Sequence, residues 1–537
     1  MSILDRKSTT TLLSSFDDTD NFFEDDEDLF ASLSSSPTSI ASDNSPSSLD
    51  LSGATTRQFN LGYDIQIASY AGALGFDEVI DWEYFDNPGE EKRNIVEPPP
   101  FDPTKPKRTR SSSGSVIRIF RGELLGTMAG SLRSRGLEYR VLLKEYSGEM
   151  AEELASRELD TMGKLQSQLC AELNSNCKQG DWANTASSRY LLGMDTGNTR
   201  KDDSSLTQLM ECLTSPKTTR FSSSKALPLI GILGRLNLSE YENDPDLDPN
   251  EWYRALGVPG PKPNSIWIVY EYAGLSTFSS YAQPPLLRRA KIPPKKGMFG
   301  NVVLPPPLPP WNERASYVLK LFEKSLEGLA TLHENGIAHR SIGRSSLVLS
   351  TAELDKSIPA NIYTTNAMST LVKFCDFGFA GVISESAKDE SFRRRAKTFG
   401  IDIAEPKSDL TSAISIQGTN FAIAEDLHAV GFVFLGILLT TLAEPKNEQY
   451  QMPKTDEDSL QRLLGEIFNN DMNKFREYCD EEEMWENVVQ LLDENEGAGW
   501  ELLEKLCFAR DRVKEIGKED GLQLMTVRGL LSNTLFQ

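Results

Sequence analysis

The stretch 429–443 constrains this chain more than any other. Its centre, Phe432-Val433-Phe434-Leu435-Gly436-Ile437-Leu438-Leu439, carries no charge. A helix that is apolar on every face has to be buried on every face, so a substantial core must form around it. At about fifteen residues it falls short of the ~30 Å needed to cross a bilayer, which favours a core helix and no transmembrane segment. The material for such a core is present, because 39 % of the 537 residues are hydrophobic. This length allows two to four domains, or one large domain with tails and insertions. With 56 Lys plus Arg against 79 Asp plus Glu, the net charge is −23. That balance argues against a surface that grips nucleic acid or an anionic bilayer. The six cysteines, Cys170, Cys177, Cys212, Cys375, Cys479 and Cys507, contain no C-x-x-C and have no His at metal spacing. They read as reduced thiols of an intracellular compartment, without a structural zinc site. No secretory apolar segment follows Met1, and Asp17, Asp18 and Asp20 are unlike a basic transit peptide. The expectation is an intracellular soluble protein.

The ends and middle of the chain differ in texture. Residues 1–58 are rich in Ser and acids, with eleven acids against Arg6, Lys7 and Arg57, a net of −8. Such a segment cannot bury enough apolar area to offset its ordering entropy, so a disordered tail is expected. Within it, Phe22-Phe23-Glu24-Asp25-Asp26-Glu27-Asp28-Leu29-Phe30 reads either as a short docking motif or as a solvated tail with incidental Phe. Residues 59–114 combine a short ordered piece with a linker, Pro98-Pro99-Pro100, and a basic run ending Arg108-Thr109-Arg110-Ser111-Ser112-Ser113. That run is either a phosphorylation site for another kinase or a solubilising linker. From about 115, alternating apolar residues predict strands at 116–120, 139–143, 227–233 and 265–270, with a helix over 151–169. A polar insertion occupies 170–225, and 283–310 hold nine of the 28 prolines and read as a surface insertion. From Trp311 the pattern is helical.

Four short signals then occur in a fixed order. Val141-Leu142-Leu143-Lys144 ends a strand, and Glu158 follows fourteen residues later on a helix. Next come Gly336-Ile337-Ala338-His339-Arg340-Ser341-Ile342-Gly343-Arg344-Ser345-Ser346 and then Lys373-Phe374-Cys375-Asp376-Phe377-Gly378. Each is weak alone, but the ordered set resembles the protein-kinase signature over about residues 115–536. Ile268-Val269-Tyr270-Glu271-Tyr272-Ala273 is similar to a kinase hinge, with Tyr270 as gatekeeper. Asp426-Leu427-His428 is similar to the start of a buried helix whose Asp braces the catalytic loop, with His428 a structural histidine.

The resemblance implies an α+β, bilobal, protein-kinase-like fold, with a β-rich N-lobe and hinge over 115–275 and a helical C-lobe over 276–537. It implies ATP and Mg²⁺ as ligands, with nucleotide-binding residues Gly122, Gly126, Lys144, Glu158, Glu271, Ala273 and Asp376, of which Asp376 also holds the metal. The departures from the family decide what activity to expect. Ser341 stands at the catalytic Asp position, Ser346 at the Asn position and Gly343 at the loop Lys position. A serine hydroxyl cannot accept the substrate proton as a carboxylate does at pH 7. Phe120-Arg121-Gly122-Glu123-Leu124-Leu125-Gly126 keeps two glycines but not G-x-G-x-x-G, and no A-P-E precedes Asp426. Arg393-Arg394-Arg395 is either a partner-binding or phosphate-binding patch or a solvated basic run.

A pseudokinase with weak ATP binding, acting as a regulatory or scaffolding module in signalling, is therefore expected. The alternatives are an active Ser/Thr kinase with a non-standard loop, and a scaffold without nucleotide. Protein partners are expected through the acidic tail and the Pro-rich insertion. Gly497-Ala498-Gly499-Trp500-Glu501-Leu502-Leu503 and the insertion before Trp311 add a resemblance to plant chloroplast state-transition kinases. That branch implies a chloroplast location, which the acidic N-terminus does not support; the alternative is cytoplasmic.

Overall fold

A computed structural model describes residues 59–72, 116–134, 139–148, 151–176, 225–227, 229–235, 309–351, 370–403, 416–444, 453–516 and 526–536, with most of 257–281 and the short ladder 295–296 with 302–303. The expected acidic tail, most of the polar insertion and most of the Pro-rich insertion lie outside the described residues.

Five strands form one antiparallel sheet: β1 (Ile65–Gly72), β2 (Val116–Leu124), β3 (Arg140–Ser147), β4 (Leu229–Arg235) and β5 (Ile266–Glu271). Their order is β1-β2-β3-β5-β4. Helix α1 (Gly126–Ser134) joins β2 to β3, and α2 (Ala151–Asn176) packs on the sheet. The β-branched and aromatic residues of β5, Ile266-Trp267-Ile268-Val269-Tyr270, are buried along the whole strand. Burial on both faces explains why its apolar run shows no clean alternation. On α2, Leu154, Ala155, Leu159, Met162 and Leu165 are buried at helical spacing against that sheet. The sequence expectation set 59–114 apart from the kinase-like region. In the structure β1 is hydrogen-bonded into the same sheet, Ile65 opposite Leu124 and Gly72 opposite Ile119.

The remaining elements are mostly helical. They include α3 (Trp311–Glu334), the hairpin β6 (Leu347–Thr351) with β7 (Thr370–Phe374), α4 (Glu390–Thr398) and α5 (Ile416–Thr441). Later helices include α6 (Glu486–Cys507) and α7 (Ala509–Ile516). This is the α+β, bilobal layout that the resemblance implied.

The apolar segment that opened the sequence reading is the second half of α5, a helix of 26 residues. By length and composition α5 is sufficient to cross a membrane, contrary to the expectation from its apolar core alone. Of its most apolar window, 89 % is buried inside the fold. Phe434 stacks on Phe322 of α3 with ring centroids 3.5 Å apart. The indole N–H groups of Trp311 and Trp485 donate to the carbonyls of Leu442 and Leu439 at 3.0 and 2.8 Å. Each large side chain buried this way stabilises by about 1.5–3 kcal/mol. Helix α6 breaks at Glu494–Gly497, where Asn495, Glu496 and Gly497 adopt positive φ. A Cβ on Gly499 would come within 2.8 Å of the Leu492 Cα. The glycines of that motif therefore serve a kink and a close approach.

Candidate functional site

The sheet, α2 and the turn after β7 bring three charged side chains to one buried point. Lys144 on β3 donates to Glu158 Oε2 at 2.7 Å and to Asp376 Oδ1 at 2.6 Å. All three are nearly inaccessible to solvent. Antiparallel register places Lys144 opposite Ile268 of β5 and Ile119 of β2, so its side chain leaves the sheet toward α2. Asp376 has φ +72°, a left-handed conformation that Asp tolerates better than most residues, and this turns its carboxylate back toward Lys144. Burial alone pushes the Lys144 ammonium toward neutrality. The Asp376 and Glu158 charges overcome that and hold its pKa above the usual lysine value. Burial raises the pKa of Glu158, against the pull of the Lys144 charge. The Tyr270 hydroxyl donates to the second oxygen of Glu158, so Tyr270 also fixes α2.

Beyond Glu271 the chain leaves the sheet. Glu271 is still paired with Val141, and its side chain accepts from Lys373 at 3.4 Å. Ala273 is fully buried. Among the described residues its backbone N–H and C=O take no hydrogen-bond partner.

The loop after α3 is braced by Asp426 of α5. Its carboxylate accepts the amide N–H groups of His339 at 2.8 Å and Arg340 at 2.6 Å, and contacts His333 Nε2 at 2.8 Å. Arg340 has φ +62°. Its guanidinium donates to Asp389 at 2.9 Å and to Ser386 at 2.7 Å. Ser341 is buried, with Oγ 3.3 Å from both His339 Nδ1 and the Asp376 carbonyl oxygen. The Ser346 hydroxyl donates to the Ser341 carbonyl at 3.0 Å and accepts from the Gly343 amide at 3.1 Å. Ser346 thus closes the turn around Gly343.

Two expectations need correcting. Gly122 does not lie in a loop. It sits within β2, opposite Ile67 and Val141, and a Cβ there would lie 2.8 Å from Leu143 Cδ1. Gly126, with φ +64°, opens helix α1. Neither is placed with Lys144. In the register Lys144 lies opposite Ile119, and Ile119 opposite Gly72, the last residue of β1 before its connection to β2. Residues 73–115 of that connection lie outside the described residues. The sequence there begins Gly72-Ala73-Leu74-Gly75-Phe76, a glycine spacing that the sequence reading passed over.

The sequence reading also missed Glu425. It is buried, paired with Arg395 at 2.6 Å and with Arg510 of α7. Burial would raise its pKa, but the two arginines prevail and bring it down to about 2. Arg395 of the basic run is accordingly an anchor, and Arg393 donates to the Ala387 carbonyl at 2.7 Å, so the run is not simply solvated. His428 is a structural histidine, its Nδ1 2.6 Å from the Cys507 carbonyl oxygen. Among the described residues no group of three or more His, Cys, Asp or Glu could hold a metal ion.

No family model matches the chain. No curated protein matches it either. Among solved structures, the chain is similar to a crystal structure of a Stt7 homologue from Micromonas algae soaked with ATP, with a TM-score of 0.41 and 16 % identity, covering 78 % of this chain and 88 % of that one.

Proposed function

We propose that this protein is a pseudokinase: it binds adenine nucleotide in the cleft beside Lys144 and transfers phosphoryl groups to other proteins at a vestigial rate. One observation carries the reading. The Lys144, Glu158 and Asp376 cluster is assembled, while the neighbouring position where a proton acceptor would stand is the buried hydroxyl of Ser341.

The residues present fit a nucleotide. The Ala273 peptide would offer its N–H and C=O to adenine, and the Lys144 ammonium suits the α- and β-phosphates. They fit one divalent cation better than two. Asp376 is the carboxylate this reading assigns to a cation; like Glu158 it accepts from Lys144, so a cation would share it with that ammonium, whereas Glu158 is also held by Tyr270. Ser346, at the second ligand position, spends its hydroxyl inside the loop. Mg²⁺ is bound in such sites by one or two carboxylates with phosphates and waters, so one Asp suffices for weak binding. A bound cation would supply charge neutralisation at the phosphates.

The residues of the chain then divide the work. Lys144 would orient the phosphates, and Tyr270 and Glu158 hold Lys144 in place. Asp426 fixes the loop backbone. No group at 341 can take a proton from an incoming hydroxyl, so transfer lacks the ~10²–10⁴-fold that a positioned base contributes.

A thermal-shift titration with ATP, with and without Mg²⁺, followed by a phosphotransfer assay on a generic protein substrate, tests this. A melting shift with transfer at least ~10²-fold below ordinary kinases supports the reading. Turnover at ~1–100 s⁻¹ would show an active kinase instead. No shift at millimolar ATP would leave a scaffold without nucleotide.

A further inference from the structure

We propose that Ser341 is itself a phosphoryl acceptor: its hydroxyl, paired with the imidazole of His339, takes the γ-phosphoryl group of ATP once per chain. The proposal rests on the nucleotide reading above.

The geometry is that of an activated nucleophile. His339 Nε2 lies 2.9 Å from the carbonyl oxygen of Cys375. A carbonyl only accepts, so Nε2 carries the hydrogen and Nδ1 keeps its lone pair. Ser341 Oγ lies 3.3 Å from that Nδ1, and its one hydrogen can be given there or to the carbonyl oxygens of Asp376 at 3.3 Å and His339 at 3.5 Å. A hydroxyl beside a base, with the base oriented by a third group, is the arrangement that makes serine nucleophilic. The ring cannot readily turn away, because it is buried against Phe374 and Phe377, with centroids 5.7 and 4.9 Å apart. The position is also right. Ser341 Oγ is 3.3 Å from the main-chain oxygen of Asp376, the residue whose carboxylate meets Lys144. Ser346 is no competitor, since its hydroxyl is engaged with Ser341 and Gly343.

A carboxylate at 341 would accept a proton and emerge unchanged. A hydroxyl cannot do that, but it can accept the phosphoryl group. The Ser341 Oγ–phosphorus bond forms as the bond between the γ-phosphorus and the β,γ-bridging oxygen breaks. The electron pair leaves on ADP, and the Oγ proton passes to His339 Nδ1. The product is one phosphoserine with about −1.5 to −2 charges. With its hydroxyl consumed, Ser341 takes no second phosphoryl group.

The full-length chain is incubated with ATP and Mg²⁺, and its intact mass and peptide map are followed beside an ATP thermal shift. One phosphate per chain, on the Ser341 peptide, is expected. Ser341→Ala should lose the label and keep the ATP shift, and Ser341→Thr should keep the label. His339→Asn should slow labelling by about 10²-fold or more. If His339→Asn does not fold, the two Ser341 variants decide. A clear ATP shift with no phosphate on Ser341, or with a label that persists in Ser341→Ala, overturns this proposal and leaves the nucleotide reading standing. No ATP shift in any condition removes both.

Discussion

Asp426 accepts the backbone amide of Arg340 at 2.6 Å from 86 residues away. The same carboxylate holds the amide of His339, so a residue in the buried middle of α5 fixes the loop that carries Ser341. Asp426 is fully buried, and its partners are two backbone amides and the His333 imidazole. Asp426→Asn replaces a charged acceptor with a group that also carries donors. It should destabilise the chain by about 3 kcal/mol, read as a lower urea midpoint at an unchanged slope. An effect below about 0.5 kcal/mol would show that the brace is ornamental.

Lys144 neutralises two buried carboxylates at once. Lys144→Met leaves Glu158 and Asp376 facing each other without a cation. Breaking such a cluster from one side costs about 3–5 kcal/mol. The variant should also lose any ATP-induced melting shift. A variant as stable as the wild type would mean that water reaches the cluster and screens it.

Placing a carboxylate and an amide in the loop tests the proposed pseudokinase reading. In Ser341→Asp with Ser346→Asn, a carboxylate stands in the loop beside an intact Lys144, Glu158 and Asp376. Transfer to a protein substrate should rise by about 10²-fold or more over wild type. If it stays flat while ATP still shifts the melting point, the defect lies elsewhere in the chain.

Gly122 separates two readings of the strand that carries it. In a phosphate-binding loop, Gly122→Ala would weaken ATP binding and spare stability. In the structure a methyl group there meets Leu143, Val141 and the Gln66 carbonyl oxygen at 2.8–3.1 Å. Overpacking of this kind costs about 1–3 kcal/mol, so the variant should melt earlier and keep its ATP affinity.

His428 makes stability depend on pH. Burial, assisted by the Arg510 charge, pushes its pKa from 6.5 down to about 3. The folded chain therefore keeps it neutral where the unfolded chain protonates it. Its contribution is fully present above about pH 6.5 and is lost as pH falls toward 3, with a slope of at most ~1.4 kcal/mol per pH unit. Urea midpoints from pH 7 to 4.5 should fall more steeply for wild type than for His428→Leu. Parallel profiles would rule out this histidine as a source of the slope.

Some of this was legible in the linear text. The strands β2 to β5 and helix α2 announce themselves through periodicity, which neighbouring residues set among themselves. Lys144 at a strand end, Asp376 before Phe377-Gly378 and Asp426 at the head of an apolar run are recognisable because fixed spacing carries them. The substitution of Ser for Asp at 341 is visible in the same way, and so is the isolation of His428 from any metal-binding pattern.

The tertiary structure alone decided the rest. The 14 residues from Lys144 to Glu158 and the 232 from Lys144 to Asp376 close on one point because sheet, helix and hairpin pack together, and no local pattern encodes that distance. Strand β1 lies 43 residues before β2, so its partner is chosen by long-range hydrogen bonding. Gly122 looks like a loop glycine until Leu143 and Val141 are seen crowding it. Glu425 looks like a surface acid until Arg395 and Arg510 arrive from other elements. Even the pairing of Ser341 with His339, two residues apart, depends on the Cys375 carbonyl, which fixes the imidazole from across the fold. Local sequence sets which conformation each segment prefers. Which groups meet follows from the burial that only the assembled core provides.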